Sequence, residues 1–494
     1  MVSQTLREAR KYEEAMETGI RKEERPVFHL CPRVGWMNDP NGFSYYRGEY
    51  HLFYQYYPYD SVWGSMHWGH AVSKDLLHWT YLPAALAPDT VYDKDGCFSG
   101  SALELPDGRH LLMYTGVVKE PRVEGGFQDI QTQCIALGDG RDYEKCPQNP
   151  VLDARDLPEG GSRNDFRDPR IWEEEDGTYR CVVGNCTKDK DGRILLYKSQ
   201  DGIHWDFLSI LAENKGRFGR MWECPDFFQL DGKYVLLTSP QDMMPKGFEY
   251  HNGNGTLCLI GDYDKETNTF TEECDQAIDY GIDFYAAQTL AAPDGRRIMI
   301  GWMQNWDTCN LRDTEHVWFG QMSLPRELSI ERGRLCQRPV RELERLRRCE
   351  VRYENVAFEG TIQMNGISGR KIDMEITLHL EEQGKTLRKF AVRFAQDDAC
   401  HTAISFRPHE SLLKVDRKFS GSRRAYIHQR RSLVHVEEGD LKLRIILDRF
   451  SAEVFVNDGE QVLTITFYTD QSAEGISFFA DGEAVMDVIK YDLE

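Results

Sequence analysis

The sequence predicts an all-β protein: a five-bladed β-propeller followed by a C-terminal β-sandwich. Three observations carry that expectation. A hairpin pattern recurs five times in the first two thirds of the 494-residue chain. A short phrase recurs beside two of those hairpins. Beyond residue 351 the repeat stops and plain strand alternation takes over.

The repeating unit is an apolar strand, a tight turn ending in glycine, and a second apolar strand: NGFSYYRGEYHLFYQ, SGSALELPDGRHLLMYTG, PRIWEEEDGTYRCVVGN, PDFFQLDGKYVLLTSP and AQTLAAPDGRRIMIGWM. The turn glycines Gly48, Gly108, Gly177, Gly232 and Gly295 stand 60, 69, 55 and 63 residues apart, and four of them follow Asp. Asp-Gly accepts the positive φ of a hairpin turn. One hairpin per ~60 residues leaves room for a second in each unit, and a four-stranded unit repeated five times is a five-bladed propeller. The echo Ser73-Lys-Asp-Leu-Leu-His-Trp79 and Ser199-Gln-Asp-Gly-Ile-His-Trp205 follows the first and third hairpins.

The expected organisation is a helical N-terminal extension over 1–26, the propeller over 27–335, a linker with a short charged helix over 336–350, and the sandwich over 351–494. In the last part, Leu441–Ile445 and Glu453–Val456 alternate apolar and polar residues, as half-buried antiparallel strands do.

Composition narrows the function. A formal net charge of −21 repels phosphate backbones and anionic headgroups, which argues against nucleic-acid and membrane partners. The hydrophilic start lacks the apolar core of a secretory signal. The 13 cysteines show neither zinc-ligand spacing nor a disulfide framework. Reduced thiols and a cytoplasmic location follow as expectations. Aromatic residues make up 12%, which suits sugar-binding clefts as well as cores.

Counting nine residues back from each turn glycine gives Asp39, Ser99, Asp168, Glu223 and Ala286. The first strand of a propeller unit lies nearest the axis, so these positions converge on one mouth of the channel. Buried acids are costly, and gathered acids raise one another's pKa, so three at one repeat position point to chemistry. Singly, each has a structural alternative: an Asx turn, an ion pair, a strand-edge charge. The neighbours suggest separate roles. Asp168 follows Arg167, which favours an ionised partner group; Glu223 follows Trp222, an apolar setting that suits a general acid; Asp39 lies in a polar turn that suits a nucleophile. An acid and a carboxylate flanking one bond is the arrangement for glycoside hydrolysis.

The blocks Trp36-Met-Asn-Asp-Pro-Asn-Gly42, Phe98-Ser-Gly-Ser101, Phe166-Arg-Asp-Pro169 and Trp222-Glu-Cys-Pro-Asp226 resemble the signatures of glycoside hydrolase family 32, the invertases and related β-fructosidases. Asp283–Ala286, Gly301-Trp302, Met322–Leu328 and Asp448–Gly459 extend the resemblance across roughly residues 27–490. It implies a five-bladed propeller with a sandwich, a retaining mechanism, and no metal or cofactor. It implies Asp39 as nucleophile, Glu223 as acid and then base, and Asp168 as binder of fructose hydroxyls and stabiliser of the transition state. Asn38, Gln55, Trp63, Ser99, Arg167 and Asp283 are implied members of the fructose pocket, with Phe98 and Trp302 as apolar walls; for Trp63 and Trp302 a core role is the alternative.

The implied substrate is a small sugar, sucrose or sucrose 6-phosphate, with exo-hydrolysis of short fructo-oligosaccharides or inulin as the alternative. An arabinofuranosidase-type propeller hydrolase and a non-catalytic sugar-binding propeller are the rivals. Tyr56-Tyr57-Pro58 departs from the polar pair of many bacterial members. Segment 307–319 lacks a family counterpart; within it Arg312 and His316 are the groups that could meet a phosphate, against a reading as plain surface charge. A free sandwich edge leaves a homodimer open.

Overall fold

All five turn glycines adopt positive φ, between 78° and 87°, and each closes the hairpin expected of it. The structure is a computed structural model that describes all residues except 1, 308, 310–316, 381–385, 422–426 and 437–438. The inner hairpins are Gly35–Tyr46 with Glu49–Tyr57, Gly96–Glu104 with His110–Pro121, Gly161–Glu173 with Tyr179–Thr187, Trp222–Leu230 with Lys233–Pro240, and Tyr285–Ala291 with Arg297–Trp302. Two further antiparallel strands complete each blade, giving five separate sheets around one axis. The echoed phrase is the turn between the third and fourth strands of blades 1 and 3. There Asp75 and Asp201 accept from the amides of Leu77 and His78, and of Ile203 and His204.

The ring closes in register. Trp318–Phe319, reached after blade 5, pairs in parallel with Gly35–Trp36 and adds a strand to blade 1. Adjacent blades interlock through buried side chains such as Phe53, Trp68, Leu112 and Tyr114 between blades 1 and 2. Each such side chain contributes roughly 1.5–3 kcal/mol by leaving water.

All five inner strands share one irregularity. The ladder register shifts between Met37 and Pro40, Phe98 and Gly100, Arg167 and Arg170, Glu223 and Asp226, and Tyr285 and Gln288. Asp168, Cys224 and Ala286 take positive φ of 65°, 50° and 54° at these points. A bulge bends its strand and re-aims the side chains beside it. In this propeller it turns them toward the mouth of the channel.

The C-terminal strands form a ten-stranded sheet folded on itself. Its hinge is Gly475–Leu493, which pairs with Lys389–Gln396 through its first part and with Ile372–His379 through its second. The inner faces of the two arms share one apolar cluster, including Phe390, Phe406, Ile376 and Leu443. The outer strand of blade 5 runs through Pro339 and the sandwich begins at Arg347, so only residues 340–346, mostly a 3-10 turn, cross between them. The segment expected as linker is therefore largely strand.

At the N-terminus Ser3 caps the helix Gln4–Glu17, whose Leu6, Ala9 and Glu13 are buried. Glu13 accepts from the Ala84 amide of blade 1 at 3.0 Å and pairs with Arg33 at 3.3 Å. Among the described residues no helix is long and apolar enough to cross a membrane.

Candidate active site

Blade 1 supplies Asp39, blade 3 Asp168 and blade 4 Glu223, each at the bulge of its inner strand. Asp39 Oδ1 accepts from Asn38 Nδ2 at 3.0 Å, and its Oδ2 from Ser99 Oγ at 2.7 Å. Asn38 is itself held by the Trp36 indole, 2.8 Å from Oδ1. Asp168 Oδ2 accepts from the Cys224 amide at 2.9 Å. The Cys224 thiol stands between the two carboxylates, 3.5 Å from Asp39 Oδ2 and 3.6 Å from Asp168 Oδ2. Glu223 is gripped at both oxygens: Arg167 Nε donates to Oε1 at 3.0 Å, and the Tyr285 hydroxyl donates to Oε2 at 2.6 Å.

The electrostatics correct the roles inferred from chain neighbours. Arg167 turns toward Glu223, Gln131 and Asp165, and donates no hydrogen bond to Asp168. Burial, opposed by the Arg167 charge and reinforced by Glu223 and Asp39, pushes Asp168 up to about 7. It is not held ionised as its sequence neighbour suggested. Asp39 is also raised, by burial and then by the Glu223 charge, despite its donors Ser99 and Asn38. The Trp222 indole points away from the site into the core beside Val182 and Leu236, with its N–H on the Phe218 carbonyl. Polar groups, not an apolar wall, therefore hold the Glu223 carboxyl.

Residues 29–339 match the description "Glycosyl hydrolases family 32 N-terminal domain", and residues 342–493 match "Glycosyl hydrolases family 32 C terminal". The chain belongs to glycoside hydrolase family 32. It is 38% identical to a raffinose invertase of Escherichia coli over 93% of either chain, and 34% identical to a sucrose-6-phosphate hydrolase of Staphylococcus xylosus over 98% of this chain and 97% of that one. Its fold superimposes on a Bombyx mori family 32 β-fructofuranosidase with a TM-score of 0.84, at 35% identity over 99% of this chain and 98% of the other. This chain is thus a glycoside hydrolase of β-fructofuranosidase type.

The remaining expected residues divide into three groups. Asn38, Ser99 and Arg167 touch the acids directly. Gln55, Phe98 and Trp63 lie on the flank of blades 1 and 2. Gln55 Nε2 donates to the Cys97 carbonyl at 3.0 Å, and Trp63, 42% exposed, meets Phe98 edge-on, 6.0 Å between centroids. Asp283 and Trp302 lie deeper, both fully buried. Asp283 Oδ2 accepts from Arg417 at 2.6 Å and from the Thr466 amide at 2.7 Å, both in the sandwich. Through Oδ2 this buried carboxylate ties the propeller to the sandwich. Trp302 packs 6.0 Å from Trp36 and 5.0 Å from Trp306, ring centroid to ring centroid.

Tyr285, Cys224 and Thr115, whose hydroxyl accepts from the Asp168 amide at 2.9 Å, escape the sequence reading. Tyr285 and Cys224 border bulge positions that the repeat itself locates, and that adjacency is the signal that could have found them. Arg312 and His316 lie outside the described residues. Among the described residues no group of three or more His, Cys, Asp or Glu side chains is placed to hold a metal ion.

Proposed function

We propose that this enzyme hydrolyses the terminal non-reducing β-D-fructofuranosyl bond of sucrose and of sucrose substituted on the glucose 6-oxygen, with retention at C2. The meeting of Asp39, Asp168 and Glu223 from three blades around the Cys224 thiol carries the reading. Asp39, aligned by Asn38 and Ser99, attacks C2 as the C2–O bond breaks. Glu223 gives its proton to the departing glucosyl oxygen, then takes one from the water that releases fructose. Asp168 binds fructose hydroxyls and opposes the positive charge that develops at the ring.

The relatives support the breadth of the leaving group. Raffinose and sucrose 6-phosphate, the substrates in their names, differ from sucrose only by a substituent on the glucose 6-oxygen. The common element is the fructosyl unit, and that is what a pocket bounded by Asp39, Asp168 and Glu223 grips. All 13 cysteines are free, which suits a reducing compartment and supports a cytoplasmic place of action on imported sugar.

The test compares kcat/KM for sucrose, sucrose 6-phosphate and 1-kestose while following the anomeric form of released fructose. We expect β-fructose first and turnover of both sucrose forms. A preference of ~10² for one would reflect about 2.7 kcal/mol of differential transition-state binding. Release of α-fructose first would overturn retention, and a covalent fructosyl label on Asp168 in place of Asp39 would exchange the roles of the two aspartates. A dominant preference for 1-kestose would reassign the enzyme to fructo-oligosaccharides.

A further inference from the structure

The Tyr285 hydroxyl is fully buried and has one proton to give. Two acceptors face it: Glu223 Oε2 at 2.6 Å and the Ser239 carbonyl at 3.0 Å. One O–H cannot serve both at full strength. The other Glu223 oxygen already receives the Arg167 Nε–H, a charged donor that disfavours a proton on Oε1. A proton on Glu223 therefore sits on Oε2, beside the phenol. The phenol keeps its own proton, because burial and then the Glu223 charge push its pKa well above the ordinary value. Ser239 is paired across the ladder with Glu223, so the two adjacent strands that place the carboxyl also place the second acceptor.

We infer that Tyr285, with the Ser239 carbonyl as its alternate partner, is a positioning residue that lets Glu223 serve as acid in one half of the reaction and as base in the other. The inference rests on the proposed role of Glu223 as acid and then base. When Glu223 is protonated, Tyr285 turns its O–H to the Ser239 carbonyl and presents its oxygen to the Oε2 proton. That proton moves to the leaving glucosyl oxygen as the C2–O bond breaks and the bond from Asp39 to C2 forms. The Tyr285 O–H then rotates onto the new carboxylate. In the second half Glu223 takes a proton from water, the water oxygen bonds to C2, the Asp39–C2 bond breaks, and the O–H returns to Ser239. Apart from the transferred proton itself only the phenolic hydrogen changes place, so both protonation states of Glu223 are hydrogen-bonded without any shift of the backbone.

Tyr285→Phe in the full chain keeps the ring and deletes the toggle. The measurement is kcat/KM against pH for sucrose and for an aryl β-fructofuranoside whose leaving group departs without a proton. We expect the sucrose value to fall about 10- to 100-fold, the loss of a hydrogen bond to a charged group, and the aryl value to change by less than about threefold. The alkaline limb of the sucrose profile moves, because the phenol that partners the carboxyl in both its states is gone. The ratio of the two donors is read on one preparation, so a partly misfolded sample does not alter it. Equal losses on both donors with an unmoved limb would reduce Tyr285 to a packing residue and overturn the inference. Glu223→Gln separates the two levels. If it hydrolyses sucrose normally, the acid assignment falls and the toggle with it. If it is inactive while Tyr285→Phe matches wild type, the toggle alone falls.

Discussion

Asp168 sits where function and stability oppose each other. Its folded pKa is about 7, against roughly 3.9 in an unfolded chain. Between those values the folded state keeps a proton that the unfolded state has released, so stability falls as pH rises from about 4 and the full penalty stands above 7. Asp168→Asn should therefore stabilise the fold at pH 8 by on the order of 1–2 kcal/mol, seen as a higher melting temperature, with the gain vanishing near pH 4. Sucrose turnover should fall ~10²-fold or more, as loss of a transition-state contact does. Melting curves at several pH values decide it: a variant less stable than wild type at pH 8 would mean that the Cys224 hydrogen bonds outweigh the repulsion. The acids themselves were legible in the sequence because the bulge recurs at a fixed distance from each turn glycine. Their protonation was not. Neighbours in a strand point to opposite faces, so Trp222 says nothing about the surroundings of Glu223. Arg167 likewise reaches past Asp168 to a carboxyl in the next blade.

At the scale of elements, the inner-strand bulges explain why equivalent positions meet, and the closing strand explains why they stay. Gly320, just after Trp318–Phe319, has φ of +94°, and a Cβ there would lie 2.3 Å from the Met37 carbonyl oxygen and 3.3 Å from Trp302 Nε1. Met37 precedes the Asn38-Asp39 bulge, so backbone displaced at this point moves the nucleophile. Gly108 provides the contrast, with φ of +80° but nothing within 4 Å of an added Cβ. We expect Gly108→Ala to cost about 1 kcal/mol from backbone strain alone and leave turnover intact, and Gly320→Ala to cost on the order of 2–4 kcal/mol. The second should also depress kcat on sucrose. Thermal melting and steady-state kinetics check both, and equal costs at the two sites would mean that the closing strand yields freely. The five hairpins could be read from the sequence because turn chemistry is local. The fate of Asp283 could not, since its partners Arg417 and Thr466 lie more than 100 positions away and nothing local announces a docking surface. The short crossing at 340–346 was hidden for a related reason: a charged run reads as a linker until its flanks are seen to pair.

Across the whole molecule, one buried polar network joins propeller and sandwich. His29, at the entry to the propeller, donates or accepts at both ring nitrogens, 2.9 Å from Asp448 and 2.9 Å from Glu453 of the sandwich. Arg326 of blade 5 donates to Glu453 and to Asp279, and the Leu324 amide adds a further bond to Glu453 at 2.7 Å. Backbone pairing of Tyr280 and Ile282 with Val462 and Thr464 runs alongside. The network makes stability depend on pH in both directions. Burial alone would lower the His29 pKa, but the hydrogen bonds and charges of Asp448 and Glu453 raise it to about 9. A raised histidine contributes fully below its unfolded value near 6.5, and the contribution drains away as pH climbs through 9. Asp448 and Glu453, both lowered despite burial by His29 and, for Glu453, chiefly by Arg326, contribute above the ordinary carboxyl range and fail as pH drops through it. His29→Gln should accordingly cost on the order of 2 kcal/mol at pH 6 and progressively less toward pH 10, where wild type has lost the same charge. Melting temperatures of both proteins from pH 5 to 10 should converge at the alkaline end. A constant gap across that range would show that His29 stabilises the interface by packing alone, with no charge on its ring.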